Sequence, residues 1–221
     1  MSFPNSLISK FSNLIAMLEN SSENRTYVSV IDGKFTIRAE KSTPKAKERQ
    51  NKNGVLVYEL QFDTISGMLE NVFDQKTENQ YGTFRNIVFV IRDNSELYNV
   101  AMPYSSRESK GILMRLPNAD LTKQIKFKIA KKEHAFTWLT QNDLTVPSKW
   151  TKDNPGKLPK MVEVEIKGKK TFDDTEQMKY LFDFIQQNVL SKIISQSPDQ
   201  GFKSPALPAI DLSTSDDDLP F

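Results

Sequence analysis

The run Ile87-Val88-Phe89-Val90-Ile91 constrains the fold more than any other stretch of the chain. Thr83 to Arg92 is nearly all apolar. It is bounded by Tyr81-Gly82 on one side and Asp93-Asn94 on the other, both turn dipeptides. A short apolar run between turn signals fits a strand buried on both faces. Glu96 to Met102 then returns as the next strand.

Other strands show the alternation of a half-buried sheet. Arg25 to Ile31 and Lys34 to Glu40 flank Asp32-Gly33, which favours a tight hairpin. Val55 to Asp63 sets Leu56, Tyr58, Leu60 and Phe62 on one face. Gly67 to Gln75 reads as a strand with Gly67 at a bulge or bend, or else as a short helix. Lys123 to Lys131 alternates Ile125, Phe127 and Ile129 with Lys126 and Lys128, so one face is apolar and the other basic. Ala135 to Gln141 and Met161 to Lys167 complete the set.

Helical spacing appears in three places. Ser6 to Glu19 carries Leu7, Ile8, Phe11, Leu14, Ile15 and Leu18 as one stripe. Tyr104 to Leu116 starts at Ser105 or Ser106, buries Ile112, Leu113 and Leu116, and stops at Pro117. Asp173-Asp174 opens a long helix to about Ile194, with Met178, Leu181, Phe182, Ile185, Val189 and Ile193 on its apolar side. Residues 41–53 hold Lys41, Lys45, Lys47, Arg49 and Lys52 against Glu48 and read as a mobile basic loop. Residues 142–160 read as a second polar loop.

Hydrophobic residues are 38% and charged residues 26% of the 221, as in a globular body. No run approaches the ~18 to 20 apolar residues of a membrane span. With no cysteine there are no disulfides, no thiolate chemistry and no Cys-based zinc site. Charge is distributed unevenly. Residues 211–221 carry four Asp and no Lys or Arg; removing these from 28 acidic side chains leaves 24 against 30 basic, a body charge of +6. A basic body with an acidic end suits a partner that is a polyanion.

The chain ends Asp216-Asp217-Asp218-Leu219-Pro220-Phe221. These six residues resemble the acidic C-terminal tip of bacterial and phage single-stranded DNA-binding proteins, a run of Asp followed by an aliphatic residue, Pro and Phe. The resemblance implies a docking peptide for replication, recombination and repair proteins, made of Asp216, Asp217, Asp218, Leu219, Pro220 and Phe221. It also implies an OB-fold, the five-stranded barrel whose helix lies between its third and fourth strands. The order of elements from Val55 to Gln141 is compatible with that barrel. The helix before the first strand, the short linker and the long helix before the tail depart from the familiar bacterial proteins. They bring the chain closer to the divergent binding proteins that DNA phages encode, and self-association is left open.

The expected organisation is therefore mainly β with flanking helices. An OB-like core occupies about residues 25–170 within a binding domain of residues 1–195. A Pro-containing linker follows over 196–210, then the disordered acidic tip over 211–221. Enzyme signatures are absent: His134 is the lone histidine, no glycine-rich phosphate loop occurs, and no cofactor or metal is expected. Asp173, Asp174 and Glu176 are read as helix-start residues.

Basic and aromatic residues occur together instead. Single-stranded nucleic acid offers phosphates to cations and base faces to flat side chains. The candidate DNA contacts are Lys45 and Lys47 of the basic loop, Tyr81 and Arg85 at one turn, Arg107 after a strand end, Lys126 and Lys128, Trp138, and Trp150 in the polar loop. The expected function is binding and protection of single-stranded DNA without strong sequence preference, in the cytoplasm of a bacterium or infected cell, with partner proteins recruited by the tip. A recombination mediator or annealing protein, and a scaffold without DNA binding, are the alternatives.

Overall fold

The computed structural model describes residues 25–193, apart from 52, 80, 81, 132–134, 167 and 192. The helix expected over Ser6–Glu19, the linker, the acidic tip, Tyr81 and His134 lie outside the described residues.

The described residues open with the expected hairpin. β1 (Arg25–Ile31) and β2 (Lys34–Ala39) pair antiparallel, and Asp32 (φ 50°) and Gly33 (φ 72°) make the tight turn between them. Residues 47–50, expected to be mobile, are instead β3 (Lys47–Gln50), an edge strand on β4 (Leu56–Phe62). Backbone pairing with β4 and a fork of hydrogen bonds from Arg49 to the buried Glu59 carboxylate (2.6 to 3.1 Å) supply the order that composition does not suggest.

β5 (Thr64–Asn79) and β6 (Gly82–Asp93) form a long hairpin, and β7 (Glu96–Pro103) follows β6 antiparallel. β1 then pairs with β7 in parallel. After β7, Ser106 caps α1 (Arg107–Leu113), its hydroxyl accepting a bond from Ser109 N at 3.1 Å. β8 (Ile125–Lys131), β9 (Ala135–Gln141) and the two-residue β10 (Leu144–Thr145) follow. β11 (Val162–Ile166) and β12 (Lys169–Asp173) make a separate hairpin, and α2 (Thr175–Ile185) passes into a π-helical turn, Gln186–Leu190.

Ten of these strands form one curled, half-barrel sheet in the order β10-β9-β8-β5-β6-β7-β1-β2-β4-β3. The result is mainly β with two helices. The expected position of the helix is corrected: α1 follows the seventh strand and joins β7 to β8, not the third to the fourth. Among the described residues, no helix is long and apolar enough to cross a membrane.

β5 holds the curl together. Its Thr64–Gly67 segment pairs with β8, and from Met68 onward it pairs with β6. The bend expected at Gly67 falls where the partner changes. A Cβ there would lie 2.3 Å from the Arg92 carbonyl oxygen, so only glycine lets the strands approach this closely. A register shift between Leu69 and Asn71 adds a bulge just beyond.

β6 is buried on both faces, as its sequence predicts. Ile87, Phe89 and Ile91 face the concave core, where Phe89 meets Phe127 edge-to-face at 5.2 Å. Ile112 and Leu113 of α1 and Met178, Leu181 and Ile185 of α2 join that same cluster. Val88 and Val90 point the other way and are also buried.

Candidate nucleic-acid interface

Alternation in β8 sends Ile125, Phe127 and Ile129 into the core, each at most 3% exposed. Lys126 and Lys128 therefore share the opposite face. Register then decides their neighbours. Lys128 stands directly across from Trp138 on β9 and from Thr64 on β5; Lys126 stands across from Thr140 and Ser66. Directly opposed residues have Cβ atoms ~5 Å apart. Thr64, Lys128 and Trp138 thus form one row across three strands.

Trp138 does not stand alone. Phe136, two residues earlier on the same face and 40% exposed, stacks on it with ring centroids 5.1 Å apart and planes 23° from parallel. This pair lies outside the core cluster, at the surface. A surface aromatic pair has a flat face on which a base can stack.

The charge of this face is uneven. Lys126 Nζ donates to Asp143 Oδ1 at 2.9 Å. That bond, with added attraction from Lys126 and Lys128, holds the Asp143 carboxyl below the usual carboxylate range. Among the described residues Lys128 makes no ion pair. It is the cation placed beside the aromatic platform with its charge available to a phosphate.

Next to this row lies a depression of about 160 Å³, lined by Ile37, Phe62, Thr64, Ile65, Ser66, Asp93 and Tyr98. Phe62 is 39% exposed. The Tyr98 hydroxyl donates to the Glu96 carboxylate; that bond, then burial, pushes the tyrosine up to about 12. Thr64 and Ser66 were absent from the sequence-derived set; their signal is the cross-strand register, which sequence alternation within single strands does not contain. Phe136 was absent too, although alternation already places it on the Trp138 face.

The remaining sequence candidates are dispersed. Lys45 (φ 68°) sits in an exposed turn, and Lys47 begins β3, opposite Glu59 and on the far edge strand from β10. Arg85 is forked onto Asp74 (2.6 to 3.0 Å), and its guanidinium lies 3.7 Å over the Tyr104 ring. It lines a cavity of about 520 Å³ with Pro103, Tyr104, Ser105, Ser106 and Thr175. Arg107 is exposed at the first position of α1. Tyr81 lies outside the described residues.

Trp150 is a correction. Its polar neighbours suggested an exposed ring, yet it is 4% exposed, packed edge-on against Phe184 (5.1 Å) and Tyr180 (6.0 Å) of α2. Lys149 N donates to Met114 O at 2.8 Å and Ser148 Oγ to the Trp150 carbonyl at 2.7 Å, fastening the segment down. The ring anchors a loop to a helix and has no face left for a base.

Of the acids at the start of α2, Asp173 serves the helix start, whereas Asp174, at the N-cap position, makes no capping bond with its side chain. Asp173 Oδ1 accepts bonds from Thr175 N (2.9 Å) and Oγ1 (2.6 Å), which hold the carboxyl below its ordinary range, and Asp174 pairs with Lys110 at 3.1 Å.

Comparison with known protein families, curated proteins and solved structures returns no match.

Proposed function

We propose that this chain binds single-stranded DNA without strong sequence preference and presents its acidic tip to proteins of replication, recombination or repair. The observation that carries the reading is the outward Phe136–Trp138 stack set across from Lys128. Bases stack on the platform, at ~1 to 3 kcal/mol per base, while the ammonium meets the adjoining phosphate. Thr64 and Ser66 extend the row with hydroxyls able to bond phosphate oxygens. We read the curled sheet as a divergent relative of the OB barrel, enlarged and with its helix displaced to follow β7. The tip adds partner recruitment, on the strength of Asp216 to Phe221 alone.

The test uses the two tryptophans as reporters. Titration with oligo-dT at low salt quenches the native protein and a Trp150→Phe variant, whose remaining ring is at the interface. A Trp138→Phe variant binds with little quenching, because its remaining ring is buried. Absence of binding at low salt, or quenching carried by Trp150 alone, overturns the proposal.

A further inference from the structure

The depression beside the Lys128 row forms at a bend. Only Asp63 separates β4 from β5, so Phe62 and Thr64 flank one turn of the chain. Both line the depression, whose volume of about 160 Å³ suits a single planar heterocycle. Its walls differ in chemistry. Phe62 is 39% exposed, which leaves ring surface open to a stacking partner. Thr64 is exposed and Ser66 half-buried, and each brings a hydroxyl.

Asp93 is the one charged residue of the lining. Its Oδ1 accepts a bond from Asn94 Nδ2 at 3.1 Å, and among the described residues it makes no ion pair. Its charge acts on the Tyr98 hydroxyl, which sets the carboxylate near the wall that Tyr98 contributes. That hydroxyl already donates to Glu96, so it does not satisfy Asp93. The cations nearest in sequence and register are engaged: Lys34 with Asp63, and Arg92 with Glu70. A lining with one anion and no cation repels phosphate and favours hydrogen-bond donors.

The surroundings supply what the depression lacks. Thr64 stands across from Lys128, which stands across from Trp138. The depression therefore lies two strand spacings, ~10 Å, from the aromatic platform. One strand of DNA can reach both, with its phosphates on the Lys128 side.

We infer, on the single-stranded DNA reading above, that this depression takes one base of the bound strand and favours guanine, with Phe62 as stacking surface and Asp93 as hydrogen-bond acceptor. A carboxylate accepts and never donates. Guanine carries two adjacent donors on its Watson–Crick edge, the N1 hydrogen and the 2-amino group, and so meets both carboxylate oxygens. Adenine and cytosine carry one amino group beside a ring nitrogen whose lone pair a carboxylate repels. Thymine carries one N–H between two carbonyls. One position thus reads the base while the rest of the surface stays tolerant. The preference is about fivefold for a guanine in place of thymine, the lower end for a bidentate contact.

The test titrates the full chain with three oligonucleotides of equal length, following Trp138 quenching. One is oligo-dT; the others carry isolated guanines, or adenines at the same places, which controls for the stronger stacking of purines. The expected result is about fivefold tighter binding of the guanine strand than of the other two. In Asp93→Ala the ratio falls to about one. Equal binding of all three with Trp138 quenched overturns the guanine pocket and leaves the DNA reading standing. A guanine preference that survives in Asp93→Ala, or is matched by adenine, also overturns the pocket. Absence of binding by any strand overturns both. If Asp93→Ala unfolds, a strand carrying 6-thioguanine is photo-crosslinked to the native chain. Crosslinks at Phe62, Asp93 or Tyr98 support the pocket; crosslinks confined to other residues overturn it.

Discussion

Two tryptophans show how far a single residue can be read from its neighbours. Both lie near lysines in sequence, and only Trp138 faces out. The basic–aromatic pairing of Lys126, Lys128, Phe136 and Trp138 was legible, because alternation puts each pair on one face of its strand. Which face of β9 met the core was not, because Phe136 and Trp138 could equally have formed its core side. For Trp150 the polar loop was misleading: three rings of α2 and its loop meet there through contacts distant in sequence. At this scale Lys128→Glu should weaken oligo-dT binding and lower the slope of log affinity against log salt by ~0.7 for each phosphate the protein no longer neutralises. An unchanged slope would remove Lys128 from the interface. Tyr98 gives a pH prediction. Its ionisation lies near 12 in the folded chain, against about 10 when unfolded. The contribution to stability is present below pH ~10 and disappears as pH rises from ~10 to ~12. Tyr98→Phe should flatten the alkaline limb of a denaturation series over that window.

Elements were legible where side chains alternate and turns carry Asp, Asn or Gly. β1, β2, β4, β6, β7, β8, β9 and β11 all come from that signal, and both described helices come from apolar spacing. β3 was not legible. Lys47-Glu48-Arg49-Gln50 contains no apolar residue, and what makes it a strand is the unpaired edge of β4 and the carboxylate of Glu59. β10 is too short to carry a period, and β12 merges in sequence with the start of α2. β5 was recognised but read too short, since its two halves serve different partners. Gly67→Ala tests that arrangement. The added methyl meets the Arg92 backbone and the buried Ile91 side chain, neither of which can yield cheaply, so a loss of about 3 kcal/mol is expected in urea denaturation. A loss below ~1 kcal/mol would show that β5 can shift its pairing at little cost.

For the whole molecule, the sequence carried the class but not the plan. A mainly β body was evident; the single curled sheet of ten strands was not, because the parallel pairing of β1 with β7 joins segments separated by the whole β2–β6 excursion. The basic body and acidic end argue a prediction at this scale. Deleting residues 212–221 removes three of the tail's four Asp together with the Phe221 carboxylate. Oligo-dT affinity should stay the same or rise, while capture of partner proteins is abolished. A large fall in DNA affinity would instead place the tail among the DNA-binding groups.

The change of partner along β5 has a mechanical side. The wing formed by β8 and β9 is hydrogen-bonded to the rest of the sheet along Thr64–Gly67, with Ile129 N reaching the Asp63 carbonyl at one end. Tension on a strand gripped at Trp138 would load that short seam first. Phe127 against Phe89 lies directly behind it and would carry the load into the core. The seam is where pulling at Trp138 would first part that wing from the rest of the sheet, like a short row of stitches in a hem.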